Sequence, residues 1–141
     1  MKNRIVQKIV LIVTFVIAII AMTGNTEKIV LHWGVMGDVT SYGSRYYIIF
    51  LPVISVLLYM LFRRYEKNPK EFYRFPNGIP SDKVTAVASY VRTIALLTLL
   101  MLLYVTLCSA QMIPFHPYII IAIILLMMVY YIRTYRRLSK S

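Results

Sequence analysis

Four apolar runs set the limits on what this chain can fold into. They cover residues 9–22, 46–62, 84–108 and 118–132, and each is bounded by polar or basic residues. An α-helix needs about 20 apolar residues to cross a bilayer core. The first run approaches that length when counted from Ile5, because Lys8 can snorkel to the boundary. The third is long enough to span with tilt. The chain is 60% hydrophobic, whereas a soluble domain is about 45–50% apolar. The expectation is an all-α, polytopic membrane protein. A single domain of 141 residues carries four transmembrane helices, at about 5–23, 46–62, 84–108 and 118–132. The lipid bilayer is its first partner.

The charges orient these helices. The formal net charge is +11, from 16 Lys and Arg against 5 Asp and Glu. Thirteen of those cations lie in the N-terminal segment, the 63–83 connection and the tail, whereas the first and third connections hold only Lys28 and Arg45. Short loops rich in Lys and Arg stay on the cytoplasmic side. Both termini and the 63–83 loop are therefore expected to be cytoplasmic, and the 24–45 loop to face outward. Cations placed at helix ends contact lipid headgroups, and no basic, aromatic-lined groove for nucleic acid is legible. A basic start followed by a short apolar run also suits a signal peptide. Ala21-Met22-Thr23 is a poor cleavage pattern, so the segment is read as the first helix.

Other local signals are conventional. Pro52 predicts a kink about two turns into the second helix, and Arg63-Arg64 predicts its end. Pro69, Pro76, Gly78 and Pro80 break the 63–83 loop into turns. Phe72, Tyr73 and Phe75 between its cations suit a segment lying on headgroups. Ser81 or Asp82 is placed to cap the third helix. The one cysteine, Cys108, lies in an apolar run and reads as a small buried or lipid-facing hydrophobe.

Chemistry has few places to reside. The outward loop holds His32, Trp33, Gly34, Gly37, Asp38, Tyr42, Gly43, Ser44 and Arg45. Imidazole can exchange a proton near neutral pH, and Trp33 suits the membrane interface. The favoured reading of His32 is a hydrogen bond to the loop backbone that fixes its shape. A zinc set of His32, His116 and Asp38 is the outward ligand combination open to it, and is disfavoured. The three glycines allow positive φ and loop compaction. Ser44-Arg45 ahead of a helix weakly echoes an anion-binding helix start. Arg92 interrupts the third apolar run, and an intramembrane charge is by default a functional hypothesis. No acidic residue lies within an apolar run to pair with it, so snorkelling and helix-end packing are favoured. No nucleophile–base set or pair of carboxylates can be assembled, which points away from an enzyme. No cofactor is implied.

The outward loop resembles the signature of a bacterial family of uncharacterised membrane domains. That domain also forms the N-terminal part of the sporulation-delaying-toxin (SdpI-type) immunity proteins. The family pattern is matched by His32-Trp33, by Gly37, and in register by Tyr42, Gly43, Ser44 and Arg45. Asn68-Pro69-Lys70 and Phe75-Pro76 are similar to the turn that follows in that family. Val30, Gly34 and Val39-Thr40 stand where the family has Pro, Asn and Pro-Asp. The resemblance implies a bacterial cytoplasmic (inner) membrane protein whose outward loop meets an extracytoplasmic peptide or toxin, in an immunity- or signalling-like role. The alternatives are an accessory or assembly subunit of a larger membrane complex, such as a transporter, and a metal- or proton-linked carrier using His32, Arg92 and His116.

Overall fold

The computed structural model describes residues 2–24, 28–67 and 84–139. The turns around Pro69 and Pro76, the Asn68-Pro69-Lys70 resemblance and the Ser81 or Asp82 cap lie outside the described residues. In chain order the elements are α1 (Lys2–Thr23), strands β1 (Lys28–Trp33) and β2 (Val39–Ser44), a 3-10 turn (Arg45–Ile49), α2 (Phe50–Lys67), α3 (Val84–Ser109) and α4 (Pro117–Ser139). Four helical stretches, Arg4–Thr23, Arg45–Lys67, Ala86–Ser109 and Pro117–Arg136, are long and apolar enough to cross a membrane.

Helix α3 is the centre of the packing. Three buried clusters lie along it. At one end Val87, Tyr90, Val91 and Ile94 meet Phe62 and Tyr65 of α2 and Met127 and Tyr130 of α4. Midway, Leu99 meets Val10 and Leu11 of α1, with Val56 and Tyr59 of α2 alongside. At the far end Ala110, just past α3, joins Ile17, Ala18 and Ala21 of α1, Ile29 of β1 and Ile48 of the 3-10 turn. Small residues at the last of these contacts (Ala18 and Ala21, both buried) let the helix backbones approach, which is how helices associate where solvent gives no hydrophobic drive. Four buried hydroxyls are satisfied within their own helices: Thr14, Ser55, Thr98 and Thr106 each donate to the carbonyl four residues back. Helix α4 packs on α3, and none of its apolar window is buried.

Three expectations change. Residues 28–44 form a β-hairpin, so the chain is not wholly α. Pro52 falls in the first turn of α2, after the 3-10 turn that starts at Arg45. It therefore sits close to the change from 3-10 to α-helix and not about two turns into a regular helix. Helix α2 does not stop at Arg63-Arg64 but continues to Lys67, because Glu66 turns inward to meet the arginines described below.

Candidate functional site

The hairpin is built from a tight turn and a paired register shift. Lys28, Ile29 and Val30 face Ser44, Gly43 and Tyr42; then His32 faces Ser41, and Trp33 faces Val39. Leu31 is thus extra on β1 and Thr40 extra on β2. Such bulges re-aim side chains, and here they bring His32 Nδ1 within 2.6 Å of Thr40 Oγ1. His32 is held by a cross-strand hydroxyl, not by loop backbone as the sequence suggests. Gly43 leaves room for Leu31, whose side chain would collide with a Cβ there.

The turn is closed by Gly37 N–H donating to Gly34 O at 3.0 Å and Gly34 N–H donating to Asp38 O at 2.6 Å. Gly37 has φ +91°, the only positive φ among the described glycines. This is a three-residue hairpin loop that ends in a left-handed residue. A Cβ at Gly37 would also lie 3.0 Å from Pro117 Cδ. Gly37→Ala is therefore expected to cost about 1–2 kcal/mol from the left-handed backbone alone. The check is a lower unfolding midpoint in detergent.

The hairpin is anchored to the end of α3. Ser109 Oγ donates to Val30 O at 2.8 Å, and Gln111 Nε2 donates to Lys28 O at 2.9 Å. Gln111 has φ +61°. Its N–H donates to Cys108 O and that of Met112 to Leu107 O, the left-handed C-terminal cap that usually employs glycine. A glutamine in that position supplies the side chain that holds β1. Trp33 stacks on Phe115 of the α3–α4 link at 4.6 Å between ring centres, and Phe115 lies 6.1 Å from Tyr104. Tyr104 Oη in turn accepts from His116 N–H at 2.9 Å. A cleft of about 520 Å³ opens between the hairpin and the start of α4, with His32, Trp33, Val35, Phe115, Ile120 and Ile121 on its walls. At its edge the turn residues Val35 and Met36 are 92% and 88% exposed. Phe115, Ile120 and Ile121 were not among the residues the sequence singles out. Their signal was only a Pro-flanked link, with no spacing that ties it to the 24–45 loop.

The remaining loop residues divide by role. Tyr42 is half exposed and opposite Val30. Ser44 Oγ caps the 3-10 turn by accepting from Tyr46 N–H. Arg45 Nη1 donates to Gly24 O at 2.8 Å, and its guanidinium lies 5.2 Å above the Tyr46 ring. Ser44 and Arg45 therefore join α1 to α2 instead of presenting an anion site. Among the described residues no three metal-ligating side chains come together, so His32, His116 and Asp38 do not assemble.

At the opposite end of α3 lies a second polar centre. Arg92 does have an acidic partner, contrary to the sequence reading: Glu66, in the last turn of α2. Glu66 is only 8% exposed. Arg4 Nη2 donates to Glu66 Oε1 at 2.9 Å, Arg92 Nε lies 2.9 Å from the same oxygen, and Arg63 Nη1 lies 4.0 Å from Oε2. Gln7 is buried beside them and donates through Nε2 to Arg92 O at 3.0 Å. This cluster joins the start of α1, the end of α2 and the early part of α3. Glu66 was missed because it stands beyond the apolar run, among loop-like charges.

Among known families, a model described as a domain of unknown function (DUF1648) matches residues 9–56. The match covers most of α1, the whole hairpin and the first part of α2. No curated protein and no solved structure matches the chain.

Proposed function

We propose that this chain is a non-enzymatic, multi-pass protein of the bacterial cytoplasmic membrane, with both termini cytoplasmic. In this reading the hairpin cleft engages an extracytoplasmic peptide or toxin, in an immunity- or signalling-like role. The observation that carries it is the Trp33–Phe115 cleft. Apolar, aromatic walls with one imidazole suit an amphipathic peptide side chain, since binding sites are typically apolar with few polar groups. The loop's resemblance to the N-terminal domain of sporulation-delaying-toxin immunity proteins supports a peptide as the occupant.

Orientation is tested by cysteine labelling in a Cys108→Ala background. A membrane-impermeant maleimide added to intact cells should modify Val35→Cys and leave Lys67→Cys unmodified until the cells are opened. The reverse pattern would overturn the orientation. Function is tested by challenging cells that lack their own immunity with the sporulation-delaying peptide. Expression of this chain should raise the concentration needed to kill.

A second reading is favoured by α4, whose apolar window is unburied: an accessory or assembly subunit that docks through that face. It predicts a stoichiometric membrane partner on purification in mild detergent. It also predicts that this partner is lost on substituting Leu125 and Met128, both exposed, and is unaffected by hairpin variants.

A further inference from the structure

We propose that Arg4, Arg63 and Arg92 form a binding site for a phosphate group, with Glu66 as the built-in counter-charge that holds the guanidiniums together. Three cations converge on one carboxylate, so the described cluster keeps an excess of two positive charges. Glu66 accepts from Arg4 but does not satisfy the donors of the other two. Arg63 Nη1 and Arg92 Nε are both buried and lack an aligned hydrogen-bond acceptor, even though Arg92 Nε is within ion-pair distance of the carboxylate. A buried donor without an acceptor is costly. A tetrahedral anion offers several acceptor oxygens, and arginine is suited to binding it through paired N–H groups.

The location fits the ligand. Arg4 lies in the first turn of α1, Arg63 about one turn before the end of α2 at Lys67, and Arg92 about 12 Å along α3 at ~1.5 Å per residue. The cluster is therefore at the polar boundary of three apolar helices, where headgroup phosphates lie. Arg4 has a side chain 45% exposed, which leaves an entrance. The donor set is preorganised: the Gln7 bond to Arg92 O fixes α1 against α3, so Arg4 and Arg92 are already side by side before a ligand arrives. The same phosphate chemistry can come from an anionic lipid or from soluble phosphate.

The test uses the full chain, purified and delipidated in mild detergent, with two probes: phosphatidylglycerol and inorganic phosphate. Arg63→Gln is the principal variant, because Arg63 is the guanidinium farthest from Glu66. Arg133→Gln is the control, an exposed cation on α4 outside the cluster. Lipid retention is read by native mass spectrometry and phosphate binding by thermal stabilisation. Loss of one charge-assisted hydrogen bond should weaken binding by about tenfold or more. Phosphatidylglycerol retention that falls tenfold in Arg63→Gln but not in Arg133→Gln supports a lipid ligand. Stabilisation by phosphate that Arg63→Gln abolishes, with lipid retention unchanged, supports a soluble one. Equal behaviour of both variants toward both probes would overturn the proposal and leave the cluster a purely structural ion pair.

Discussion

Glu66→Ala should destabilise this protein by about 3 kcal/mol, because removing one partner of a buried ion pair leaves the other charge uncompensated. The carboxylate is nearly inaccessible, and both Arg4 and Arg92 are drawn to its Oε1. The estimate sits at the low end of the usual range. Arg4 and Arg92 are partly exposed and can extend toward headgroups when the acid is gone. The check is unfolding in detergent or by steric trapping, together with the amount of protein in the membrane. Glu66→Gln should fall between, since an amide oxygen still accepts from Arg4. Replacing the pair together, Glu66→Leu with Arg92→Leu, should cost less than the two single changes added. An apolar pair avoids the desolvation that the ionic pair must offset, and the coupling is read directly from the double-mutant cycle. Simple additivity would mean that the two residues do not act on each other.

That pairing also marks where the sequence stopped being readable. The four helices were legible because a bilayer demands long apolar runs, and length and hydropathy report such runs directly. Their exact ends were not. Glu66 stands among Arg63, Arg64 and Lys67, where composition resembles a solvated loop, and only its tertiary partners make that turn helical. The hairpin was hidden for a different reason. Strand alternation over residues 28–44 is broken by the extra residues Leu31 and Thr40, so a period of two never emerges. The glycines correctly signalled a shaped loop, but the positive φ belongs to Gly37, while Gly43 serves close approach by Leu31. Of the loop residues, His32 and Trp33 do line a cleft. The other side of that cleft comes from Phe115, Ile120 and Ile121, more than 80 residues away in sequence, and no local pattern announces such a partner.

In the proposed role, Trp33→Ala should cut protection against the sporulation-delaying peptide by about 30-fold while leaving the protein in the membrane. Buried aromatic anchors at interfaces typically lose about 2 kcal/mol or more on truncation, roughly a 30-fold weakening. The stack on Phe115 is worth only about 0.5–1.5 kcal/mol to the fold, and β1 keeps its ties through Ser109 and Gln111. Binding should therefore fall much further than stability. Trp33→Phe keeps a ring against Phe115 and should retain most of the protection. Adding His32→Ala to Trp33→Ala should remove what remains, because it also releases Thr40 and the bulge that aims both side chains. Trp33 is the chain's single tryptophan, so 5-fluorotryptophan gives one ¹⁹F resonance that reports on the cleft alone. Titration with the peptide should move that resonance in step with protection. Full protection by the double variant, or a resonance indifferent to the peptide, would end the recognition reading and turn attention to the exposed face of α4.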